Sequence, residues 1–84
     1  MSVMDKQKII EKVIGITADL FHKDTSEVTL ETDFVKDLHA KSIDIIGLIA
    51  ALEGEFQVHI PPSDVKQNNT VGKAIDWLDQ KLNK

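Results

Sequence analysis

The sequence predicts an all-α fold: a small four-helix bundle of three longer helices and one short helix, with a long first loop. Three segments carry apolar residues at helical spacing, and three such stripes can only be buried against one another. A fourth stretch, PSDVKQ, opens on a proline suited to a first helical turn. The 84 residues suffice for one small domain spanning 1–84 and not for two.

The first helix is expected over about residues 4–21. Ile9, Val13, Ile16 and Leu20 form its stripe, widened by Ile10, Ile14 and Phe21. Residues 22–41 follow with no clear period. A structureless loop of about twenty residues is tolerated in a compact domain only when anchored or functional. Val28, Leu30, Phe34, Val35 and Leu38 are its candidate anchors. The second helix begins at Ser42, with Ile45, Leu48, Ile49, Leu52 and Phe56 on its buried face. Phe56, Val58 and Ile60 then alternate, which hints at a short extended piece before Pro61 and Pro62 restart the chain. The last helix starts near Thr70, a reasonable N-cap, and repeats its pattern through Val71, Ile75, Leu78 and Leu82.

Composition narrows the function. Apolar residues make up 42% and charged residues 29%, as in an ordinary soluble globular fold. There is no cysteine, so disulfides and thiolate metal sites are excluded. The N-terminal stretch lacks the apolar core of a signal peptide. The longest apolar run, LIAAL, is far shorter than the ~20 residues a membrane span needs. A cytoplasmic protein without membrane insertion is therefore expected. A net charge of −4 and a pI near 5.2 disfavour nucleic acid and anionic membranes and favour basic partner surfaces.

Ser42 sits where loop becomes helix. Read locally, it is an N-cap. Its surroundings add a second reading. Asp37, Leu38, His39, Ala40, Lys41, Ser42 and Ile43 resemble the D-L-G-x-D-S-L pattern of the acyl carrier protein family. Further matches are E-V-T at Glu27 to Thr29, D-F-V at Asp33 to Val35, and A-L-E-x-E-F at Ala51 to Phe56. I-P at Ile60 and Pro61 and T-V-x-x-A-I-D at Thr70 to Asp76 complete the set. Each fragment is weak alone; in this order they cover nearly the whole chain.

The resemblance implies that a phosphopantetheinyl transferase moves 4′-phosphopantetheine from coenzyme A onto the Ser42 hydroxyl. The arm's thiol would carry acyl groups as thioesters, in fatty-acid or related lipid or polyketide biosynthesis. Acyl-transferring and acyl-modifying enzymes would be the other partners of a monomeric carrier that is itself no enzyme. The helix N-terminus suits an anionic phosphodiester. Two alternatives stand beside this: a helical adaptor that keeps the fold without the arm, and a carrier of amino acids in a nonribosomal-type pathway.

The sequence departs from the family around the site. Lys41 stands where aspartate is usual, His39 where glycine is usual, and Ile43 replaces leucine. On a helical wheel Ile43, Gly47, Ala50, Ala51 and Gly54 fall opposite the buried stripe of the second helix. Asp44, Glu53 and Glu55 flank them. By the resemblance this helix docks partner enzymes. Lys41, Ile43, Asp44, Gly47, Ala51, Glu53, Gly54 and Glu55 are then the expected partner-contact residues. Two glycines each cost a helix about 1 kcal/mol relative to alanine, which a closely approaching partner would offset and plain surface drift would not. Ile46 and Ala50, at the edge of the stripe, mark where an acyl chain would enter between helices; both are equally ordinary core margin.

Other chemistry finds little support. Asp37, His39 and Ser42 are too close in sequence to orient as a hydrolase triad, and no oxyanion-hole signal accompanies them. His22, His39 and His59 lack metal-ligand spacing. Trp77 falls on the flank of the last stripe and reads as partly buried packing.

Overall fold

The computed structural model describes residues 5–83. Among the described residues four helices follow one another: α1 (Lys6–Leu20), α2 (Ser42–Phe56), the short α3 (Pro62–Gln67) and α4 (Val71–Leu82). A single 3₁₀ turn, Thr25–Glu27, lies in the first loop and has no periodic signal in the sequence. The expected start of α1 at Met4 lies outside the described residues; the helix is capped by Asp5, whose side chain accepts from the Gln7 N–H.

Each boundary has a local cause. α1 ends as His22 turns into the left-handed region at φ 58°. The Lys23 and His22 N–H groups then reach back to the carbonyls of Ala18 and Asp19, at 2.8 and 3.4 Å, in a Schellman arrangement. α2 ends at Gln57, also left-handed, whose side-chain amide donates to the Gly54 carbonyl. Pro62 occupies the first turn of α3. The Thr70 hydroxyl accepts from the Lys73 N–H at 3.2 Å and caps α4.

The core is built from Ile9, Val13, Leu48, Ile49, Leu52, Phe56, Val71, Ile75 and Leu78, joined by Val28, Phe34 and Ile60 from the connections. The stripe expected on α1 is displaced. Ile16 and Leu20 are half-buried, while Thr17 and Ala18 are fully enclosed. Ile45 and Leu82 are likewise margin rather than centre. The alternation of Phe56, Val58 and Ile60 does not make a strand. Phe56 ends α2, and the Ile60 N–H is taken by the Glu53 carboxylate at 2.8 Å.

The long loop is anchored, though by fewer side chains than expected. Val28 and Phe34 are buried and Leu38 is half-buried, but Leu30 and Val35 are exposed. Backbone replaces them. The Phe34 N–H donates to Asn69 O at 3.1 Å, Val71 N–H to Thr32 O at 3.0 Å, and Gly72 N–H to Leu30 O at 2.8 Å. These bonds strap the loop to the start of α4. Gly72 is required there, because a Cβ would stand 2.9 Å from the Leu30 carbonyl oxygen.

Candidate functional site

Asp33 organises the approach to Ser42. Its carboxylate accepts from the Val35 and Lys36 N–H groups, both at 2.8 Å, and from the Asn69 side-chain amide at 3.1 Å. The Lys36 N–H holds this carboxyl below the usual carboxylate range; burial opposes the shift, and the Val35 N–H and the charges of Lys36 and Lys73 assist it. Its own N–H donates to the Asp37 carboxylate at 2.7 Å. The loop from Phe34 to Leu38 is thereby wound into a fixed turn.

His39 closes that turn in the left-handed region, at φ 57°. The Ala40 N–H then returns to Phe34 O at 2.9 Å. The histidine side chain is exposed. Its position demands the backbone that glycine adopts most cheaply, which explains why glycine is the usual residue in the family pattern.

Ser42 is the first residue inside α2, not its N-cap. The N-cap is Lys41, whose side chain has no acceptor to offer. Asp44 serves instead, taking the Lys41 N–H at 2.9 Å. The Ser42 side chain is exposed, and its hydroxyl has no hydrogen-bond partner among the described residues. The N–H groups of the first turn have no intrahelical acceptor, so they and the helix dipole face any anion placed on Ser42.

A groove of about 560 Å³ opens beside this hydroxyl. Loop residues Asp33 to Lys36, α2 and α3 form its walls, and Phe34, Ile45, Ile46, Ile49 and Val65 give it an apolar lining. Behind it lies an inner cavity of about 30 Å³, bounded by Leu48, Leu52, Ile60, Trp77 and Leu78 and sharing Phe34, Ile49 and Val65 with the groove. Trp77 is half-buried, as expected. Its indole N–H donates to the Asp64 carboxylate at 3.2 Å, tying α3 to α4 across the cavity.

The residues anticipated on α2 distribute unevenly. Ile46 lines the groove; Ala50 is exposed and lines neither space. Ile43, Ala51, Gly54 and Glu55 are exposed. Gly47 is half-buried, and a Cβ there would lie 3.8 Å from Leu20 Cδ1 of α1, so it sits at the margin of the bundle rather than opposite it. Glu53 is turned to the Ile60 N–H, and Glu55 pairs with Lys12 at 2.7 Å. Phe34, Ile49 and Val65, which line both spaces, read from the sequence only as core or linker residues. The helical reading of PSDVKQ is the signal that places Val65 against α2.

The fold and site together define a small helical binding module: a bundle that presents the Ser42 hydroxyl, unpartnered among the described residues, at the mouth of a groove with an apolar lining. The comparisons agree. A family model described as "Phosphopantetheine attachment site" matches residues 11–78. The acyl carrier protein of Rubrobacter xylanophilus is 41% identical over 75 residues, covering 89% of this chain and 93% of that protein. That of Thermosynechococcus vestitus is 39% identical, covering 94% and 98%. The solved structure of an acyl carrier protein from Enterococcus faecalis superposes with a TM-score of 0.78 at 30% identity, covering 92% of this chain and 98% of that one. The chain belongs to the acyl carrier protein family. Its members are carriers rather than enzymes and work with partner enzymes. Membership brings a covalent 4′-phosphopantetheine, and an exposed hydroxyl beside a roomy groove and an open helix N-terminus fits such a group.

Proposed function

We propose that Ser42 is the attachment point and that the protein tethers acyl intermediates in fatty-acid or related lipid or polyketide biosynthesis. The observation that carries this is the placement of the Ser42 hydroxyl: exposed, free of any capping bond, and at the lip of the groove. When bound, the arm supplies a thiol that holds the cargo as a thioester. The chain's own part is to present and shelter. The first turn of α2 offers unpaired N–H groups to the phosphodiester. Ile45, Ile46 and Ile49 give the arm an apolar wall. The tether raises the effective concentration of cargo at each partner's active site.

A phosphopantetheinyl transferase, followed by acyl-transferring and acyl-modifying enzymes, would approach a cytoplasmic monomer over Lys41, Ile43, Asp44 and the outer face of α2. With Glu53 and Glu55 engaged internally, that face offers mainly Ile43, Ala51 and Gly54. Docking is accordingly less sensitive to salt than an acidic face would make it.

Coexpression with a phosphopantetheinyl transferase and an intact-mass measurement tests the attachment. One added arm, absent in Ser42→Ala, is the expected result. An unmodified protein across several transferases, including one from the native source, would overturn the reading and leave an armless adaptor. Because Ser42 caps nothing, Ser42→Ala should change stability by no more than about 0.5 kcal/mol, so loss of the arm will not be a folding effect.

A further inference from the structure

The groove beside Ser42 is charged in a sense opposite to the molecule. Lys36 comes from the loop, Lys41 from the cap of α2 and Lys66 from α3, so each wall contributes one lysine. The only carboxylate among the described lining residues is Asp33. Three lysines against one carboxylate leave the groove at +2 in a chain of net charge −4.

These lysines are also outside the salt bridges of the described residues. Lys6 and Lys12 pair with Asp76 and Glu55, and Lys81 lies over the Trp77 ring. Lys36, Lys41 and Lys66 are exposed and make no salt bridge among the described residues. The nearby carboxylates are occupied with internal donors. Asp33 holds the Val35 and Lys36 N–H groups, Asp37 the Asp33 N–H, Asp44 the Lys41 N–H and Asp64 the Trp77 indole. An anion placed in the groove therefore meets three lysines that no acid among the described residues holds in a salt bridge, though the charge of Lys36 already acts on Asp33.

A phosphodiester on Ser42 adjoins Lys41 and removes one positive charge. Lys36 and Lys66 remain, on walls away from the attachment point. Between them the lining is apolar, with Ile46 and Val65 available to a short hydrocarbon stem. The inner cavity is the wrong place for an anionic end: at about 30 Å³ it has room for little more than a methyl group, and no lysine borders it.

We propose that the groove selects an acyl cargo bearing a terminal carboxylate, its stem on Ile46 and Val65 and its anionic end between Lys36 and Lys66. The inference rests on the attachment reading above. It narrows the cargo to a class: dicarboxylic half-thioesters, as against neutral acyl chains that end in a methyl group.

The test uses the full chain loaded from coenzyme A thioesters with either of two arms of equal carbon count, adipoyl and hexanoyl. The rate at which hydroxylamine cleaves each thioester reports its protection. The Ile46 methyl and lysine ε-methylene signals in NMR report where it lies. The ratio of adipoyl to hexanoyl protection should fall roughly three- to tenfold in Lys36→Gln/Lys66→Gln, and high salt should have the same effect on the parent. Far-UV circular dichroism confirms that this surface variant folds. A ratio that is the same in parent and variant overturns the proposal. So does a variant whose loaded forms are unchanged but which reacts more slowly with the transferase, since the lysines then serve a partner's acid. Failure to transfer any arm is a different result; it sinks the attachment reading first.

Discussion

The Asn69 side-chain amide donates to the Asp33 carboxylate across 3.1 Å, joining residues thirty-six positions apart. That contact, with the antiparallel bridge between Asp33 and Thr70, fixes the loop before Ser42 to the start of α4. The site is thus held from the far end of the chain. Asp33 does this as an anion, since its oxygens receive only donors.

Because the folded Asp33 carboxyl is held below its ordinary value, its contribution to stability is complete above the unfolded value of about 3.9. It is lost as pH falls through the folded value, where the unfolded chain already binds the proton. Thermal melts taken downward from neutral pH should show this loss, and Asp33→Asn should flatten that limb. An identical acid limb in the variant would show that other carboxylates govern it.

Thr17 is fully buried in α1, and its hydroxyl has no partner among the described residues. A buried unpaired hydroxyl costs about 1–3 kcal/mol. Thr17→Val keeps the shape and removes the polar atom, so it should stabilise the fold by about 1 kcal/mol or more. Urea denaturation at constant m-value measures this; a loss of stability would mean that the hydroxyl is satisfied in solution.

His39 holds φ 57° with a side chain that is exposed and gains nothing from burial. Left-handed backbone costs a non-glycine residue about 1–2 kcal/mol, of which glycine's larger unfolded-state freedom returns about half. His39→Gly should therefore stabilise by about 0.5–1 kcal/mol. Equal melting temperatures would indicate a compensating contact of the imidazole.

Two glycines separate freedom from necessity. Gly54 is exposed, with nothing within 4 Å of an added Cβ, and Gly54→Ala should stabilise α2 by up to about 1 kcal/mol. Gly72→Ala must push against the Leu30 carbonyl at 2.9 Å and should destabilise. If Gly54→Ala also weakens partner binding while raising the melting point, the glycine serves docking; unchanged binding leaves it as surface drift.

The chain's own pattern determined most of the architecture. Helical spacing announced α1, α2 and α4, and Pro62 announced α3, because amphipathic period and proline geometry are local properties. The order of short motifs carried the family likeness, and with it the reading of Ser42. Other features depended on contacts between distant segments. Thr17 replaced Ile16 at the centre of α1's buried face because α1 packs against both α2 and α4, and those neighbours decide which face is covered. Leu30 and Val35 stayed exposed because backbone bonds to Asn69, Val71 and Gly72 anchor the loop without them. Ser42 gave up the cap to Lys41 because the turn wound on Asp33 sets where the helix begins. The groove and its three lysines are visible only once loop, α2 and α3 meet, since a surface shared by separate segments has no signature in any one of them.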